Sequence, residues 1–220
     1  MSAILNKNGQ FAFWYRICVF LHYKTFPMKT KLLLSTLVCV IAVSTITAQK
    51  KYKSDDGTIV TKTYEGTVFT SEKTFTENIT GTDDFTYLSA ILEDESLVAM
   101  LSEKEMITVF APKNATFSNL DEETRESILS NPSLLKNIMK RHVIPGRVDS
   151  NSIRKGIAKN DGVIHYTTLA QERISFALNK SGQIVMFDSD ENRAIITSED
   201  YMHQNGFFHV VDGLILPASN

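Results

Sequence analysis

A chain of 220 residues fits one domain or two small ones. Its formal charge of −2 hides an asymmetry: residues 1–48 hold five basic side chains and no acidic one, so the remainder carries −7, a surface that repels nucleic acid. Both cysteines, Cys18 and Cys39, lie in that same N-terminal part, which excludes disulfide and thiol chemistry from the rest and leaves 172 residues to stabilise themselves by an apolar core.

From Met28 the chain reads MKTKLLLSTLVCVIAVSTITAQ. Lys29 and Lys31 precede an apolar run, and small residues follow up to Ala48, which is the order of a secretory signal peptide cut after Ala48. The run is shorter than the roughly 20 residues of a membrane span, so no span is expected after cleavage. Residues 1–27 contain AFWYRICVFLHY. Translation starting at Met28 would leave them unmade; the alternative is a second membrane-associated segment. Residues 49–82 are rich in Thr, Lys, Asp, Glu and Gly and show no sustained apolar face, which reads as an N-terminal arm, with an added edge strand through TIVTKTYEGTVF as the alternative.

The pattern sharpens from Asp83. Asp83 or Asp84 can cap a helix that puts Phe85, Leu88, Ile91 and Leu92 on one face, and Leu97, Val98 and Leu101 continue at helical spacing after the solvated acids 93–95. Ile107 to Ala111 reads as a buried strand. Residues 121–130 open with acids, as helix N-termini prefer. Asn131-Pro132 predicts a capped helix whose Leu134, Leu135, Ile138, Met139 and His142 share a face, ended by Pro145-Gly146. Short apolar runs at 174–178, 183–187, 193–197, 207–211 and 214–216, punctuated by Gly182, Asn192, Gly206 and Gly213, predict an antiparallel sheet. A sheet after a helical region is an α+β domain.

Three landmarks then stand in order. ITVFAPKNATFSNL at 107–120 resembles the first signature of the fasciclin domain family, roughly Thr-Val-Phe-Ala-Pro-x-Asn-x-Ala-Phe. LLKNIMKRHVIPGRV is similar to its central segment ending in His-Val-x-Pro-Gly, and NGFFHVVDGLILP to its closing signature. The resemblance covers residues 83–218 and implies a β-sandwich wedge with several short helices packed around it. It makes Thr108, Phe110, Pro112, Asn114, Phe117, Asn205, Gly206, His209 and Asp212 structural. Val109 and Ala111 are expected on one face of the strand with Phe110 on the other, Pro112 to stop pairing, Asn114 to bond its own local backbone, and Phe117 and Leu120 to pack inward. The chain departs from the family at two places: Arg141 stands where many members have Tyr, and Asp200-Tyr201 where they have Asp-Ile. In animal relatives those places are linked to integrin-type adhesion.

The resemblance implies an exported, non-catalytic adhesion module. Its partner would be a cell-surface or matrix protein or a glycan, with no cofactor. Its contact surface is expected on loops carrying Arg141, His142, Arg147, Asp200, Tyr201 and His203. The rival reading is an enzyme or small-ligand carrier built on the four histidines downstream of Ala48, namely His142, His165, His203 and His209. His142 and His209 sit on apolar patterns and are expected in the core; no Gly-x-Ser-x-Gly or His-Glu-x-x-His occurs. Asp188, Asp190, Asn192 and Glu199 fall at positions 1, 3, 5 and 12 of a calcium loop, but Arg193 replaces its turn glycine and strands rather than helices flank it. A polar hairpin turn between two strands is the favoured reading, with the spacing accidental. Sequons occur at Asn78, Asn114 and Asn179. A third reading has residues 49–82 donating a strand to a neighbouring molecule.

Overall fold

The computed structural model describes residues 58–217. The signal-peptide reading, the upstream segment, both cysteines and the start of the N-terminal arm lie outside the described residues.

The described chain opens with a hairpin, β1 (Thr61–Tyr64) and β2 (Thr67–Thr70), and a one-turn helix α1 (Phe75–Ile79). A 3-10 turn at Asp83–Phe85 leads into α2 (Thr86–Ile91), followed by α3 (Glu95–Ser102), β3 (Ile107–Pro112), α4 (Asn114–Ser118), α5 (Glu122–Leu129), α6 (Pro132–Arg141) and β4 (Val143–Pro145). The second half is α7 (Ser150–Lys159), β5 (Val163–Thr167), β6 (Arg173–Leu178), β7 (Ile184–Phe187), β8 (Arg193–His203) and β9 (Gly206–Val211). The helices start where the sequence supplies acceptors. α1, α3, α5, α6 and α7 begin on Thr74, Asp94, Asp121, Asn131 and Asp149, each taking a backbone N–H of its first turn.

Seven strands form one sheet in the order β4-β3-β9-β8-β7-β6-β5. All pairs are antiparallel except β3 with β9, which run parallel, Ile107 opposite Gly206 through Pro112 opposite Val211. This corrects the expectation of a purely antiparallel sheet. The first and last signatures are neighbours in the sheet, and a parallel pair requires the long crossover that the intervening residues provide. The sheet curls until its ends approach: after β5 the chain returns, and Leu169 N–H donates to Val143 O of β4 at 2.8 Å.

Both faces of the sheet are covered, which is why β3 and β9 are buried at every residue. Val109, Ala111, Phe208 and Val210 face a core with the hairpin and the first six helices. Phe110, Ile144, Phe176, Met186, Ile196 and Val211 face a second core closed by Ile153 and Ile157 of α7. The expected division of Val109 and Ala111 from Phe110 is this division between cores.

The N-terminal arm is corrected from residue 58 onward. Phe69, Phe75 and Ile79 are buried in the first core, where Phe69 meets Tyr201 and Phe208 edge-on at 5.3 and 5.0 Å. Asn78 fastens the piece: its Oδ1 accepts Thr70 N–H, and its Nδ2 donates to the carbonyls of Thr70, Lys73 and Thr74. Few apolar residues do this work, spaced six and four apart, so no periodic face shows in the sequence.

Candidate functional site

The signature residues hold backbone. Thr108 donates its hydroxyl to Gly146 O and accepts Val148 N–H, both at 2.8 Å, so one buried side chain pins the Pro-Gly corner to β3. Asn114 does not bond its own turn, as expected from sequence, but reaches across to another helix. Its Oδ1 accepts Tyr87 N–H and the Thr86 hydroxyl, and its Nδ2 donates to Asp83 O. Thus α2, whose own N-cap Phe85 offers no acceptor, borrows one from α4. Phe117 is buried, and Leu120 packs against the same core. Asn205 donates to Leu101 O and Lys104 O, and Asp212 accepts Ile195 N–H at 2.7 Å. At Gly206, with φ 152°, a Cβ would lie 1.7 Å from Ile107 O, so only glycine lets β9 start there.

His142 and His209 are saturated by backbone. His142 Nδ1–H donates to Phe110 O and Ile215 N–H donates to its Nε2, both at 2.9 Å. His209 Nε2–H donates to Val148 O at 2.9 Å, and its Nδ1 accepts Asp200 N–H at 3.1 Å. Each ring is a neutral tautomer with one donor and one acceptor used. Burial lowers the pKa of His142 to about 4 against a raising bond to Phe110 O, and lowers that of His209 as well. His203, also lowered to about 4 by burial, donates Nε2–H to Phe207 O at 3.1 Å.

The expected contact surface is corrected at most of its residues. Arg141 and His142 are buried at the end of α6, and Tyr201 and His203 are buried because β8 runs on to His203 with no loop to expose them. Tyr201 sits among Phe69, Phe208 and Tyr64, with its hydroxyl 2.7 Å from Ser198 Oγ. Asp200, with φ 57°, lies where the β8–β9 register shifts; its carboxylate takes Ser150 N–H and the Ser150 hydroxyl at the start of α7. Arg147 alone of the six is exposed, its guanidinium 4.6 Å from the Phe207 ring.

The calcium-like positions form a turn instead. Asp188 Oδ1 accepts the N–H groups of Asp190 and Asn192, and Oδ2 accepts Asn192 Nδ2–H. Glu199 is directed elsewhere, onto Arg154 at 2.5 Å. Among the described residues no group of three His, Cys, Asp or Glu side chains is gathered for a metal. The sequon amides of Asn78 and Asn114 are committed to the fold as above, and Asn179 accepts Ser181 and Gln183 N–H.

A cleft of about 570 Å³ opens beside this turn, walled by Arg141, His165, Glu172, Arg173, Phe187 and Asp190, with Ser175, Asp188 and Ser189 completing it. Arg141 meets Glu172 through both terminal nitrogens, at 2.5 and 2.7 Å. His165 Nδ1 lies 2.9 Å from Ser175 Oγ, its partner across β5 and β6. Sequence reading missed this place, since only the pairing register of β5, β6 and β7 brings these residues together.

The profile of the fasciclin domain matches residues 83–217. Protein sll1483 of Synechocystis is 33% identical over 149 residues, covering 67% of this chain and 75% of that protein. Human periostin is 26% identical over 148 residues, and the pig transforming growth factor-beta-induced protein ig-h3 26% over 137; these take in 67% and 62% of this chain but only 16% and 18% of those longer proteins. Among solved structures, the FAS1 domain pair of the insect cell adhesion molecule Fasciclin I superposes with a TM-score of 0.55 at 16% identity, over 66% of this chain and 51% of that one. The matched span contains the three signatures whose polar residues fix β3, the Pro-Gly corner and β9: the chain belongs to the fasciclin domain family.

Proposed function

We propose that this protein is an exported, non-catalytic adhesion module that contacts a cell-surface or matrix protein or a glycan through its outer surface. The observation that carries the reading is the saturation of His142 and His209 by backbone partners inside a fasciclin fold. Imidazoles whose two nitrogens are both engaged and shielded from solvent have no free site for a substrate proton. Fasciclin I, a cell adhesion molecule sharing the fold, supports the same direction. Export rests on the signal-peptide pattern at 28–48.

The test pairs two measurements on protein made from the full sequence. Fractionation with N-terminal sequencing should find it outside the cytoplasm, starting at Gln49. Surfaces coated with it should retain cells or matrix components, and His142→Gln and His209→Gln variants that remain folded should retain them equally. A cytoplasmic protein, or substrate turnover that disappears in a folded histidine variant, would overturn the reading.

A further inference from the structure

We infer that the cleft between β5, β6 and the β7–β8 turn is a binding site for a neutral saccharide. This deepens the module reading above and rests on it, choosing the glycan among its partner classes. Three observations converge on that chemistry.

The first is the state of the charges. Arg141 and Glu172 are locked in a two-bonded pair, and Asp188 is spent on its own turn. An ionic ligand would have to compete with bonds already made. A hydroxyl group need not, since it can donate to the carboxylate side of such a pair and accept from the guanidinium side. The remaining polar groups suit the same ligand: the Ser189 hydroxyl, the His165–Ser175 pair, and the exposed Arg173 and Asp190, one donor and one acceptor.

The second is the half-buried Phe187, which adds a flat apolar surface to an otherwise polar wall. Sugar rings present C–H groups on one face and hydroxyls around the rim, so a phenyl ring amid donors and acceptors matches both parts.

The third is unmet hydrogen-bonding capacity at the Arg141–Glu172 wall. Among the described residues three buried side-chain atoms lack a partner: Arg141 Nε, Thr168 Oγ1 and His203 Nδ1. The first belongs to the residue that pairs with Glu172 in the cleft wall. Unpaired buried polar atoms are costly, and a fold that keeps one in the wall of a cleft holds polarity there that packing does not need.

The test is a titration of the exported protein, isotopically labelled, with a panel of neutral mono- and disaccharides at about 10 mM, a range suited to weak single-site binding. Amide shifts are expected at His165, Arg173, Ser189 and Asp190. Arg173→Ala and Asp190→Ala, both at exposed positions, should each weaken binding by about tenfold, the loss of one or two hydrogen bonds, at unchanged melting temperature. Glycine and citrate serve as zwitterionic and anionic controls. The inference is overturned if no saccharide shifts these amides, if shifts fall elsewhere, if the variants bind normally, or if a control binds in place of the sugars. Surface or cell attachment that persists in both variants alongside any of those results removes the cleft and leaves the module reading standing.

Discussion

Asn114 and Thr108 illustrate how single polar side chains set this fold. Asn114 supplies the first-turn acceptor that α2 lacks, so Asn114→Ala is expected to cost about 1 kcal/mol, in the range of a lost helix cap. Thr108→Val keeps the shape but strands Val148 N–H and Gly146 O in the interior. A loss of about 1–3 kcal/mol is expected, read from denaturant midpoints at unchanged m-value. Phe117→Ala removes a buried ring and should cost about 3–5 kcal/mol; a melting temperature near that of the parent would refute its place in the core. The sequence told that these residues matter but only partly how. Val109, Phe110 and Phe117 went where alternation and the signature put them. Asn114 did not, because a side chain bonding 27 to 31 residues away leaves no local trace. Tyr201 and His203 looked like loop residues because the chain around Asp200 is polar. The bulge there turns that polarity toward α7 and lets β8 continue.

At the scale of elements, the hairpin and α1 are the main surprise. Residues 58–82 precede the family match, yet they bury Phe69, Phe75 and Ile79 against β8 and β9. A chain beginning at Asp83 would leave that core open. It is expected to lose its near-ultraviolet circular dichroism and bind apolar dyes, and Phe69→Ala alone should cost about 3–5 kcal/mol. If the shortened chain melted like the parent, the hairpin would be an accessory. The Asn131-Pro132 start and apolar face of α6 were legible; for α3 the helical spacing was, but its cap was not, because Asp94 reads as one of three solvated acids. α7 was not legible, since its large apolar residues, Ile153 and Ile157, are too sparse to fix a period, and β5 is only five residues long. The cleft was invisible for the same reason: it exists only through the register that sets His165 opposite Ser175 and Ser175 opposite Phe187.

For the whole molecule, the buried histidines set the acid response. His142 and His203 are lowered to about 4, and His209 in the same direction, all chiefly by burial. In the unfolded chain a histidine titrates near 6.5, so below that pH the unfolded state binds more protons than the folded one. Stability is therefore complete above about pH 6.5 and falls as the pH drops toward about 4, by up to about 3 kcal/mol for each of His142 and His203. The capping carboxylates Glu77, Asp94 and Asp121, whose pKa values are lowered by hydrogen bonds to Thr74, Ser96 and Thr124, lose their contribution as the pH falls through the usual carboxylate range and below it. The interval between about pH 6.5 and 5 thus isolates the histidines. The same rings bear on function, for if they clamp β3, β4 and the closing segment they are not free to move protons. Nitrogen-15 resonances of the imidazoles at about pH 6 test that most directly, because an unperturbed histidine would be largely protonated there. Neutral rings are expected, Nδ1–H for His142 and Nε2–H for His209, in slow exchange with water. An imidazolium signal from either one, or a ring titrating near 6.5 in the folded protein, would contradict it.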